Sequence, residues 1–121
     1  MKLAPTTQAK LRSCTWFKLD RKKLLSSKAT LWVLVLRGFE RNSFDYIILE
    51  PRELAARLER LHGISDGYQV YVWVTKHVPA RAWLTRDLGK VAQNQIGDNS
   101  FDDNTRDLMR YLNDWSAVSN L

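Results

Sequence analysis

Cysteine is almost absent: Cys14 is the single one among 121 residues. A lone thiol closes no disulfide within the chain and makes no metal site by itself. Long apolar runs are absent as well. The longest, Leu31 to Leu36, is far too short to span a bilayer. No apolar stretch of the kind that directs secretion opens the chain. These absences predict a cytoplasmic protein with no membrane attachment. No internal repeat or low-complexity tract appears, and the five glycines form no phosphate-binding loop.

What is present is ordinary globular material. Apolar residues make up 45% of the chain and charged residues 26%. Five Trp, four Tyr and four Phe supply bulk for one core. Two domains would each be too small to bury much, so residues 1–121 are expected to form a single domain.

The net charge of +6 is unevenly spread. Residues 1–29 hold eight bases (Lys2, Lys10, Arg12, Lys18, Arg21, Lys22, Lys23 and Lys28) against one acid, Asp20. Residues 30–121 hold eleven bases and twelve acids. A local basic field of this kind attracts polyanions such as nucleic acid. Its alternative use is as a solvated face that aids solubility.

The pattern of residues predicts a mixed α/β chain. Residues 1–7 read as an extended or flexible lead-in, followed by strands at Gln8–Cys14 and Thr15–Leu19. Asp20 can cap a short helix through Ser27 by accepting the free amides of its first turn. Thr30–Leu36 is apolar on both faces and reads as a central strand covered on both sides. Phe44–Leu49 follows as an antiparallel partner after a short turn. Pro51 opens a helix whose stripe is Leu54, Leu58 and Leu61, with Gly63 as its stop. Tyr68–Thr75 alternates cleanly, with Tyr68, Val70, Val72 and Val74 on one face. Further on, Ala82–Leu84 reads as a short strand and Asp87–Gln95 as a helix. Asn104 is expected to cap a last helix carrying Leu108, Leu112 and Trp115. Strand follows strand more than once, which favours a mixed, largely antiparallel sheet with flanking helices.

The sequence Gln8-Ala9-Lys10, then Trp16-Phe17-Lys18-Leu19, a capped helix, two apolar strands and Pro51 resembles part of the PD-(D/E)XK nuclease-like superfamily. The resemblance covers roughly residues 8–75 in order of elements. It implies a partial restriction-endonuclease-like core, with Gln8 and Lys10 as the second and third members of the catalytic motif. In that chemistry carboxylates hold Mg²⁺ and a lysine steadies charge at the phosphorus. Here no Asp or Glu precedes Gln8. The resemblance therefore implies a truncated or inactive nuclease-like domain, with Mg²⁺ needed only if a partner chain completes the site.

The expected nucleic-acid surface is Lys10, Arg12, Lys18, Arg21, Lys22, Lys23 and Lys28, with Trp16 either a stacking platform or a core residue. No helix-turn-helix, zinc-finger or RNP signature is present to read sequence. A different class of function fits the same chain: a non-enzymatic interaction module that pairs with a second copy or another protein through the aromatic sheet face of Tyr71 and Trp73 and an open sheet edge. Other candidates fit structural roles better. His62 suits a helix C-terminus, and His77 has no partner at metal-ligand spacing. Asp98, Asp102 and Asp103 lack the spacing of a calcium loop. Cys14 beside Arg12 is a candidate for a lowered pKa, without an evident base to make it a nucleophile.

Overall fold

The computed structural model describes residues 5–121. Pro5 has the fixed φ that suits a first helical position, and Pro5–Gln8 form a single turn, α1. Ala9 N donates to Pro5 O at 3.0 Å and Lys10 N to Thr7 O at 3.0 Å, so the chain turns before any strand begins. Of the expected lead-in, residues 1–4 lie outside the described residues and Pro5–Thr7 are helical. The two strands expected from Gln8 to Leu19 are one, β1 (Leu11–Asp20), with a register shift between Leu11 and Ser13.

Asp20 caps α2 (Arg21–Ser26), accepting from Lys23 N at 3.2 Å. Then come β2 (Trp32–Arg37), β3 (Phe44–Leu49) and α3 (Pro51–His62). Leu54 and Leu58 are buried on α3, and Gly63 ends it at φ 78°, a left-handed conformation that suits glycine. The chain continues through β4 (Gly67–Thr75), β5 (Ala82–Leu84) and α4 (Lys90–Gly97). The latter begins three residues later than expected because Asp87, at φ 64°, still belongs to a turn.

All strand pairing is antiparallel, in a three-stranded sheet β1-β4-β5 and a two-stranded sheet β2-β3. β2 is therefore not the doubly covered central strand its composition suggested. Leu34 and Leu36 turn inward with half-buried Trp32 packed against the same core, while Val33 and Val35 are exposed. The sheets meet where Ser13 bridges Gly38 and Phe39 N donates to Arg12 O at 3.0 Å. The main core fills the space between them: Leu24 of α2, the apolar stripe of α3, Val70, Val72 and Val74 of β4, and Leu34, Leu36, Ile47 and Leu49 of β2-β3. No helix among the described residues is long and apolar enough to cross a membrane.

The expected terminal helix does not form. Asp107 bridges Trp83 on the outer edge of β5, and Leu112 bridges Ile47 on the outer edge of β3. Leu84 N donates to Arg106 O at 2.9 Å, Leu108 N to Ala82 O at 2.9 Å and Asn113 N to Tyr46 O at 2.7 Å. Buried Arg57 on α3 also donates to the carbonyls of Asn104, Thr105 and Asp107. Backbone groups so engaged are lost to a helix. What remains is a 3-10 turn at Met109–Tyr111 and a single turn, α5 (Ser116–Ser119). Leu108 is buried as expected, while Trp115 is exposed.

Candidate nucleic-acid interface

Directly opposed residues of an antiparallel pair share a face. On β1 and β4, Thr15, Phe17 and Leu19 lie with Val72, Val70 and Tyr68 over the main core. Cys14, Trp16 and Lys18 lie with Trp73, Tyr71 and Gln69 on the outer face. That outer face is divided. At one end Trp73 opposes Trp83 of β5, and both are buried beneath Ile96 of α4 and Phe101. Trp83 and Phe101 meet edge to face, with ring centroids 4.8 Å apart.

Further along β1 this cover stops. Trp16 is 54% exposed in the interior of a ten-residue strand. It stands directly opposite half-buried Tyr71, with Lys18 and Gln69, both exposed, as the next pair. Lys18 takes part in no ion pair among the described residues. Arg86 borders the patch, its Nη1 3.4 Å from Gln69 O. Aromatic faces held open by a rigid sheet, beside a free ammonium group, can stack on bases and attract phosphates.

The other basic residues do not gather on this face. Arg12 is held by the Asp45 carboxylate, with Nε at 2.8 Å and Nη2 at 2.5 Å. Arg21 is held by Glu59 at 2.7 Å. Lys22 and Lys23 are exposed on α2, a helix anchored through Leu24 in the inner core, and Lys28 is exposed in the following loop. Gln8 ends α1, and Lys10 lies in the turn before β1, so the Gln8-Ala9-Lys10 motif is not carried on a strand. A Cβ built at Gly97 would sit 3.5 Å from Lys10 Cγ, which places the lysine stem against the end of α4.

The donor set does not fit the Mg²⁺ that the nuclease resemblance implies. Among the described residues no three His, Cys, Asp or Glu side chains cluster to hold a metal ion. Asp45 accepts from Arg12 twice and from Asn113 Nδ2 at 3.0 Å, which occupies its oxygens. Cys14 also departs from expectation: burial pushes its thiol up rather than down. His62 Nδ1 lies 3.7 Å from Asp87 Oδ2, yet burial lowers its pKa below the ordinary 6.5.

Gln69 and Arg86 were missing from the residues singled out by sequence, whereas Tyr71 was expected to share a partly open aromatic face with Trp73; of the two, Trp73 is buried and Tyr71 half-buried. The alternation of β4 places Tyr71 on the face of Trp73. Only the β1–β4 register brings it opposite Trp16. Compared with family models, curated proteins and solved structures, the chain matches none.

Proposed function

We propose that this domain binds single-stranded nucleic acid on the open half of its outer sheet face. Bases stack on Trp16 and Tyr71, and the backbone runs past Lys18. The observation that carries this reading is the exposure of Trp16, 54% in mid-strand and directly opposite Tyr71. Singly exposed apolar side chains are common, but two aromatic rings side by side on one strand pair with a cation next to them form a patch that fits a contact surface. Single strands are the fitting ligand because a duplex keeps its base faces stacked inside. The charge balance of the first 29 residues supports the same ligand by long-range attraction. Nothing in the patch reads base identity, so the binding is sequence-tolerant and requires no catalytic step.

Titrating a labelled single-stranded oligonucleotide into the chain tests this. Quenching of tryptophan fluorescence and a steep loss of affinity with salt are the expected results. Trp16→Ala should weaken binding about tenfold or more, since stacking contributes roughly 1–3 kcal/mol per base. No binding at low salt, or equal binding by folded Trp16→Ala, would sink the proposal.

A further inference from the structure

Two adjoining clefts lie at the end of the molecule where β1 begins and β4 ends. The first, about 450 Å³, is lined by Arg12, Phe39, Glu40, Phe44, Asp45 and Lys76, among others. The second, about 420 Å³, shares Phe39 and Lys76 with the first and adds Gln8. The first is a partly enclosed cleft, and the second is a shallow, open continuation of it. Phe39 is 48% exposed and Phe44 49%, on either side of the turn between β2 and β3. That turn is fixed: Gly38 N donates to Ser43 O at 2.8 Å, Phe39 N to Arg12 O at 3.0 Å, and Ser43 leaves no room for a side chain at Gly38. Phe39 is thus an aromatic ring on an anchored backbone, open to two clefts.

The charges around it are sorted. Asp45 and Arg12 neutralise each other, and Asn113 completes the carboxylate's partners. Lys76 is tied by its backbone, N to Lys10 O at 2.9 Å, while its ammonium group makes no ion pair among the described residues. Among the described residues, Lys76 is therefore the cation without an ion-pair partner in both clefts, as Glu40 is the anion without one in the first. Glu40 offers a carboxylate acceptor to the first, and Gln8 an amide to the second.

We propose that these clefts form a nucleotide site separate from the outer sheet face. A base lies flat on Phe39, its phosphate is held by Lys76, and the Glu40 carboxylate accepts from an exocyclic amino group of the base. Carboxylates recognise base amino groups in this way. The same chemistry is offered by a free mononucleotide and by the phosphorylated end of a strand.

Amide NMR shifts decide it, with the full chain titrated by adenosine monophosphate and, in parallel, by ribose phosphate. Saturable shifts confined to residues 8–12, 38–45 and 76, with ribose phosphate much weaker, are the expected result. Phe39→Leu should lower the affinity about tenfold through lost stacking, and Lys76→Gln should lower it by weakening the phosphate contact. If Phe39→Leu does not fold, Lys76→Gln and the ribose phosphate comparison decide alone. Equal binding of ribose phosphate, no shifts at these residues, or shifts only around Trp16 and Tyr71 would overturn the site. The last of these outcomes would favour the sheet-face reading, whose failure is read separately from the Trp16 variant. An oligonucleotide with a terminal phosphate that binds these residues more tightly than the mononucleotide identifies a strand end as the source. The reverse order identifies the free nucleotide.

Discussion

The outer face of the β1-β4-β5 sheet carries tryptophans at both ends, and they have opposite fates. Trp73 and Trp83 are 0% and 2% exposed, sealed by α4 and Phe101, whereas Trp16 on the neighbouring strand is 54% exposed. Strand type and side-chain alternation are the same in both halves. The difference lies in what packs on top. α4 spans only Lys90–Gly97 and covers only the half near Leu11, Trp73 and Trp83. One face is therefore of two kinds: half of it is core, and half is open to solvent.

The sharpest way to break this comparison is to truncate one tryptophan from each half. Trp73→Ala should cost about 3–5 kcal/mol of unfolding free energy, the usual range for a buried aromatic. Trp16→Ala should stay within about 0.5 kcal/mol, as surface changes do. Urea denaturation measures both, and equal losses would mean that Trp16 is core in solution. A smaller effect separates the sheet face from α2. Lys18→Glu lies beside Trp16 and should weaken oligonucleotide binding more than Lys22→Glu and Lys23→Glu combined, which act mainly by long-range attraction. The reverse order would move the phosphate path onto the helix.

The smallest effect belongs to His62. Its folded pKa is lowered by burial, so the unfolded chain binds more protons in the window below the ordinary 6.5. Its contribution to stability is fully present above that value and is lost as pH falls through the folded pKa. Thermal unfolding at pH 7 and pH 5 should show a slight loss at the lower pH. His62→Gln should reduce that loss, and an unchanged difference would place its origin in other groups.

Much of the fold was legible in the residues. Asp20 as a cap, Pro51 and Gly63 as helix bounds, and the alternation of Tyr68–Thr75 are local signals, and local physics decided them. The illegible parts depend on distant neighbours. Thr30–Leu36 looked doubly buried because composition does not reveal that only β3 would pair with it. The stripe Leu108, Leu112 and Trp115 has helical spacing, yet two strand edges and Arg57 compete for that backbone. At the candidate site Trp16 and Lys18 were singled out from sequence and Tyr71 was placed on an open aromatic face by alternation, whereas its position opposite Trp16 required the register. The basic cluster counted as one patch in sequence divides because Arg12 and Arg21 find acids on β3 and α3.

The segment Arg106–Asn113 touches the outer edge of β5 at one end and of β3 at the other, while Ser13 and Gly38 join the two remaining edges. The backbone contacts thus close a circuit around the main core. A circuit differs from a stack of layers in that it has no expendable link. Trimming the chain back to Trp115 leaves the circuit intact. Trimming it to Thr105 releases both outer edges at once, and unpaired edges template aggregation. The boundary between a soluble shortened chain and an insoluble one therefore falls within those eight residues, and a tag or fusion partner is better tolerated after Leu121 than in their place.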